Sequence, residues 1–465
     1  MRSLLTVLTA VGLAAIALAP TAGAAPAAPA HACDTTSTEY TYVVLYPQGT
    51  PRFVANTEVG FDCGKLVTYY QRIGVAVATS RNADFAARLG TDRAYSARKD
   101  LPTAAALASR KSSVESVTST VDAAPAADLS GQQWDMDAIG AKKANKLNPG
   151  SRRVTVGVLD SGVDATHPDL AKAVDPSKSA GCLTGKPDTT PAAWAPTTSA
   201  HGTHVAGTIA AADDGSGVSG IAPGVRVASV KVVSDDGYIF PESAVCGFMW
   251  AAENDMQVTN NSYYVDPGFY FCDNKPGDSA AYEAIRRAVA YSTREGVLNV
   301  AAAGNEALDI TNPTTDPVRT KNPVDKHCKT LPGGLSDVVS VSAVGYNGTK
   351  SGYSDWGGVD VTAPGGDGAQ VPPAGKGPAC PVSTLPGGKY GSMCGTSMAS
   401  PHAVGVLALL ASSHPYAGPS ELRSLLHRQA TPVACPSGVA TCTGPAANNS
   451  YYGHGLVNAL AAVQR

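Results

Sequence analysis

Downstream of Trp134 the chain repeats one pattern: a short β-rich run that ends on a polar or glycine turn, often followed by a stretch of helical period. The runs are "VTVGVLD" (154–160), "VRVASVKVV" (225–233), "VTNNSY" (258–263), "VLNVAAAG" (297–304) and "VVSVSAVG" (338–345). Between them, "PESAVCGFMWAAEND" and "SAAYEAIRRAVAYSTREG" have the length and period of crossover helices. Strand–helix alternation of this kind folds most simply as α/β, a mostly parallel sheet with helices on both faces. In such sheets functional side chains collect at the carboxyl ends of the strands. The residues just past each run are therefore where chemistry is to be sought.

Upstream, the pattern differs. Arg2, the apolar run Leu4 to Ala19 and the small residues Ala22-Gly23-Ala24 form an export signal, so residues 1–24 are expected to be removed. Cys33 after Ala30-His31-Ala32 raises a lipoprotein reading, but no large aliphatic residue precedes it. "YTYVVLYPQG" and "GVAVATSRNADFAARLG" read as strand, strand and helix of a small α+β module, and the Ala/Ser/Thr/Asp-rich stretch 101–132 reads as a linker. Ten cysteines with no CxxC pair suit disulfides in an oxidising compartment. Cys33/Cys63, Cys380/Cys394 and Cys435/Cys442 are the expected pairs; the other four are open. With 35 basic against 38 acidic side chains and a net charge of −3, nothing marks a nucleic acid or an anionic membrane as partner. Secretion is the expected destination.

Three strand ends or helix starts carry reactive side chains. Asp160 ends the first run, in "VGVLDSGVDATHPDL"; alone it reads as a turn carboxylate. His201 opens "HGTHVAGTIAA", with His204 three residues on; as metal ligands the two lack a completing acid or thiol. "GTSMASPHAVGVLALL" contains Ser397, Ser400 and His402. Pro401 has no N–H to give the Ser397 carbonyl, which places the helix start near Ser397, where free N–H groups favour developing negative charge. Ser400 reads as a local cap. His402, five residues on, lies about 140° around the helix from Ser397, so the base for Ser397 is expected from elsewhere, and His201 is best placed. Asp…His…Ser is one of the known orders of a nucleophilic triad.

These four motifs, "VLDSGVDATHPDL", "HGTHVAGTIAA", "AAAGNE" and "GTSMASPHAVGVLALL", resemble in order the signatures of the subtilases, the subtilisin-like serine proteases. The resemblance spans roughly 134–463 and implies an endopeptidase working through an acyl-enzyme on protein or peptide substrates. It makes Ser397 the nucleophile, His201 the general base and then acid, Asp160 its orienting partner, and Asn305 the oxyanion-hole amide. It places a substrate strand along Ser262 and Tyr263 on one side and Ala302, Ala303 and Gly304 on the other. Here Ser262-Tyr263-Tyr264 stands where many relatives have Ser-Leu-Gly, so no cleavage specificity carries over.

Residues 25–130 are then similar to a propeptide that assists folding, inhibits the enzyme and is cut off by it, leaving a monomeric catalytic domain over 131–465. No cofactor is required for catalysis; calcium is common in relatives, yet Asp213, Asp214, Asp235 and Asp236 read as solvated loop charges, so no metal site is assigned. Two other readings are kept open: a catalytically silent binding protein of this fold, and a dedicated precursor-processing protease.

Overall fold

The computed structural model describes residues 33–101, 117–121 and 127–464; the expected signal, 1–24, lies outside them. In the first part four antiparallel strands, β1 (Tyr40–Leu45), β2 (Gly64–Tyr70), β3 (Val75–Ser80) and β4 (Ala94–Tyr95), form a sheet in the order β2-β3-β1-β4. The helix Arg52–Phe61 and strand β2 were not foreseen. That helix leaves Phe53 and Phe61 exposed, which blurs the periodicity by which a buried face is recognised.

β5 (Ser119–Val121) lies within the stretch expected to be linker. It is held by edge pairing to β16 (Lys389–Ser392), itself a hairpin partner of β15 (Val382–Leu385), and by hydroxyl bonds from Thr118 and Ser119 to Ser392. Backbone pairing leaves no apolar pattern in sequence, which is why a strand here reads as linker.

The large sheet contains β6 (Thr155–Asp160), β7 (Ala180–Gly181), β8 (Arg226–Lys231), β9 (Val258–Asn261), β11 (Leu298–Ala302), β13 (Val338–Val344) and β14 (Val361–Pro364). Their order is β14-β13-β11-β9-β6-β8-β7 and every pairing is parallel. A separate two-stranded pair, β10 (Phe271–Cys272) and β12 (Cys328–Lys329), carries the Cys272–Cys328 disulfide.

Alternation along β6 divides the two cores. Val156 and Val158 face the helices His201–Ala210 and Thr396–Ser413, whereas Leu159 faces Pro241–Glu253 and Asp278–Arg294. The helix Thr396–Ser413 is buried from Thr396 to Ala411, because it is apolar on every side and further helices cover its outer face. Truncating Leu407 there to Ala would cost about 2–5 kcal/mol.

The N-terminal sheet packs on the second core through Val43, Leu45, Val75 and Tyr95. Polar contacts fasten it, among them Arg287 donating to the Tyr46 carbonyl at 2.7 Å, Tyr70 donating to the Gly185 carbonyl at 2.8 Å, and Arg98 at 3.4 Å from the buried Glu242 carboxylate. The expected pairs Cys33–Cys63, Cys380–Cys394 and Cys435–Cys442 are disulfides, and the open four resolve as Cys182–Cys246 and Cys272–Cys328.

Candidate active site

Parallel strands bring their carboxyl ends to one edge, and the site assembles there. Asp160 is the last residue of β6; His201 is the first of the helix His201–Ala210. The His201 Nδ1 lies 2.9 and 3.0 Å from the two Asp160 carboxylate oxygens, with both residues buried. The turn after β6 holds the carboxylate still: the Ser161 N–H donates to Asp160 Oδ1 at 2.7 Å, and the Ser161 Oγ accepts from the Gly202 N–H at 3.0 Å. Gly202 has to be glycine, since a Cβ there would stand 2.5 Å from the Gly162 carbonyl oxygen and 3.2 Å from Asp160. Nδ1 facing a carboxylate is the protonated nitrogen, which leaves Nε2 as the basic one. Burial, and after it the nearness of His201, lower the His204 pKa to about 3, so His204 adds no charge beside the pair.

Ser397 is the second residue of the helix Thr396–Ser413, where its N–H has no intrahelical acceptor. Pro401 sits in the second turn, later than first-turn proline chemistry would put it. The Ser397 carbonyl that it leaves free accepts instead from the Ser262 hydroxyl at 2.8 Å, while the Ser397 hydroxyl lies 3.3 Å from the Ser262 carbonyl. Ser262, expected as a substrate contact, is thus also the residue that repairs the proline break. Ser400 does not cap locally; it donates to Asn260 Oδ1 on β9 at 2.8 Å.

Asn305 follows β11. Its Oδ1 accepts from both the N–H and the hydroxyl of Thr396, at 2.8 and 2.9 Å. The amide oxygen is therefore occupied at the helix start, and the NH2 is what Asn305 offers beside Ser397.

One pocket gathers these groups. His201, Ser262, Tyr263, Ala302, Ala303, Gly304, Asn305 and Ser397 all line it, and Asp160 stands behind His201. Tyr263 is turned by a hydrogen bond from its hydroxyl to Asn261 Oδ1 at 3.0 Å, and burial raises its pKa. Sequence reading missed Phe269, Leu331 and Gly333 in the same wall. Their signal was weak: "KTLPGG" reads as a turn, and Phe269 lies in an irregular loop, placed edge-on to Tyr264 at 5.0 Å.

His402 is fully buried and faces away. Its Nε2 meets Asp135 at 2.9 Å and its Nδ1 the Met398 carbonyl at 2.7 Å. Among the described residues no group of three or more His, Cys, Asp or Glu is placed to hold a metal. Asp213 accepts from Ser219, and Asp235 from Thr197 and Lys231, in exposed loops. Also among the described residues, no helix is long and apolar enough to cross a membrane.

A model of the subtilase family matches residues 151–455. Subtilisin E of Bacillus subtilis (strain 168) is 32% identical over 312 residues, 67% of this chain and 66% of that protein. Subtilisin BL of Lederbergia lenta is 32% identical over 332 residues, 71% of this chain and 98% of that protein. Among solved structures, the epidermin leader peptide processing serine protease of Staphylococcus aureus is alike in fold, with a TM-score of 0.67 at 22% identity over 92% of this chain and 98% of that one. The chain belongs to the subtilase family of subtilisin-like serine proteases.

Proposed function

We propose that the protein is a secreted serine endopeptidase, exported as a precursor that cuts away its own N-terminal part and then acts as a monomer on protein or peptide substrates. The observation that carries this reading is the doubly hydrogen-bonded Asp160–His201 pair, with His201, Ser397 and Asn305 on one pocket.

In the reaction, His201 Nε2 accepts the Ser397 Oγ proton as Oγ bonds to the scissile carbonyl carbon. Asp160 keeps the other proton on Nδ1 and offsets the charge of the imidazolium. The carbonyl oxygen becomes an oxyanion and receives hydrogen bonds from the Asn305 NH2 and the Ser397 N–H. Collapse breaks the C–N bond while the imidazolium hands its proton to the leaving amine. Water, deprotonated by the same imidazole, attacks the acyl carbon, and the imidazolium returns the proton to Ser397 Oγ as the C–O bond breaks and the acid is released. Every proton is accounted for by these side chains, so no cofactor is needed for the chemistry, and chelation of divalent ions should leave kcat unchanged even where it lowers stability.

Three facts support export and self-processing. A signal-like start precedes the described chain. Five disulfides and no free cysteine occur among the described residues. Leu101, the last described residue of the N-terminal module, packs against the second core, so the module is docked on the part that carries the site. The test is the Ser397→Ala variant, expressed with its signal. It should accumulate outside the cell as an uncut precursor without casein hydrolysis, whereas the parent matures and is silenced by a serine-directed sulfonyl fluoride. Normal maturation of the variant would end the self-processing reading, and parental hydrolysis indifferent to the inhibitor would end the triad reading.

A further inference from the structure

The loop that carries Asn305 is gripped from one side by a residue to which nothing so far assigns a role. Asp355 Oδ1 accepts from the N–H groups of Glu306 and Leu308 at 3.1 and 2.7 Å, and the Asp355 N–H donates to the Gly304 carbonyl at 3.0 Å. On the inner side, Glu306 Oε2 accepts from the Asn305 N–H at 2.7 Å. The two carboxyl groups also stand close to each other. Both lie against the α-carbon of Gly304: a Cβ there would be 2.1 Å from Asp355 Oδ2 and 3.0 Å from Glu306 Oε2. Gly304 has φ +123°, open to glycine, and Ala307 is held at φ +55°, so the backbone on both sides of Asn305 is bent by these contacts.

We propose that Asp355 and Glu306 are the positioning residues of the oxyanion loop, a close pair of carboxyl groups, one of them protonated, that aims the Asn305 amide. The proposal rests on the reading of Asn305 as oxyanion donor. Two carboxylates this close repel when both are ionised, which favours a proton on one of them. Asp355 is the better holder: it is fully buried, and burial followed by the charge of Glu306 raises its pKa well above the ordinary carboxylate range. Among the other groups facing the pair, burial lowers the pKa of Lys350. Lys350 donates to the Ser351 and Ser354 carbonyls, Asp316 is paired with Arg319, Asp309 accepts from Thr311 and Asn312, and burial raises the pKa of Tyr270. Rising pH acts on the Asp355 proton as well as on Lys350, and only the former is absent from Asp355→Asn. Loss of the Asp355 proton makes the pair a dianion, which pushes the Asn305 loop out of register and lowers kcat.

The test is steady-state hydrolysis of a chromogenic peptide anilide across pH by the mature enzyme. Asp355→Ala should lower kcat by about 10²-fold, as loss of an oxyanion donor does in a subtilisin, with KM little moved. Asp355→Asn keeps an oxygen for the two N–H groups and supplies a donor to Glu306 that cannot ionise. It should recover most of the loss and shift the alkaline fall in kcat upward or abolish it. In an Asn305→Ala background, Asp355→Ala should add less than about threefold, because both act through one hydrogen bond. An undiminished loss in that background, or an alkaline limb unchanged in Asp355→Asn, overturns the proposal. If Asp355→Ala does not fold, the Asn variant's pH profile decides alone. An Asn305→Ala enzyme with parental kcat instead defeats the oxyanion reading, an outcome separate from either result at Asp355.

Discussion

Among the described residues two aspartate–histidine pairs of the same length are buried on both sides. Asp160–His201 and Asp135–His402 each place an imidazole nitrogen 2.9 Å from a carboxylate oxygen, and in both the partners are nearly inaccessible. What separates them is the second ring nitrogen. In His402 it is Nδ1, spent on the Met398 carbonyl at 2.7 Å, one turn back in the same helix. In His201 the ring lines the pocket together with Ser397. A carbonyl can only accept, so His402 is a permanent donor on that side and cannot serve as a base. An aspartate–histidine pair is therefore a strut or a catalytic element according to what its far nitrogen meets. Asp135, in the helix Trp134–Ala138, uses its pair to bind the start of the catalytic part to the helix that carries Ser397.

Exchanging each aspartate for asparagine separates these roles most sharply. Asp160→Asn should reduce kcat by about 10⁴-fold with the fold intact, because an amide turns the imidazole to the wrong tautomer and cannot offset the imidazolium. Asp135→Asn asks nothing of that kind: its NH2 can donate to Nε2 of a neutral His402, so kcat should stay parental and thermal stability nearly so. Asp135→Ala is different again. It leaves a buried imidazole nitrogen without its partner and should cost about 1–3 kcal/mol in denaturant unfolding, with kcat at moderate temperature little changed. Should Asp135→Asn lose activity like Asp160→Asn, the division into strut and catalytic element is wrong.

The sequence disclosed these two pairs unequally. Asp160 and His201 stand at a strand end and a helix start within motifs, where the α/β pattern directs attention, and the helical angle from Ser397 was enough to turn His402 away. The partner of His402 was not visible, because Asp135 lies 267 residues earlier in a short helix with no periodicity of note. The same limit hid Asp355, which lies 49 residues past Glu306 in an irregular turn and meets it only through the folded sheet. Strands β6, β8, β11 and β13 were legible from their Val- and Ala-rich runs, and β9 from its place in the strand–helix alternation, whereas β5 depends on backbone pairing and hydroxyl groups and leaves no such run. Ser262 was found for one reason and matters for another. Its hydrogen bond to the Ser397 carbonyl answers Pro401, a tertiary repair that no local rule anticipates.

A third histidine tests the comparison at its weakest effect. His204 lies one turn beyond His201, with no carboxylate among the causes of its shift; burial, then the nearness of His201, lowers its pKa from 6.5 to about 3. The folded protein therefore keeps His204 neutral while the unfolded chain takes up its proton near pH 6.5. The sign follows from linkage: the contribution is complete above pH 6.5 and is lost as pH falls toward 3, since the unfolded state binds the extra proton throughout that window. Unfolding midpoints measured from pH 7.5 down to 4 on an inhibited, non-autolysing sample should fall with decreasing pH. In His204→Gln, which has no proton to take up, that fall should be shallower, with a lower midpoint at pH 7.5 because a shaped core position is disturbed. The acid limb of kcat/KM, set by His201 next to its carboxylate, should keep its midpoint in the same variant. Equal slopes of stability against pH in parent and variant would show that His204 is not held neutral. A displaced acid limb would show that His201 and His204 titrate as one unit rather than as a paired and an unpaired imidazole.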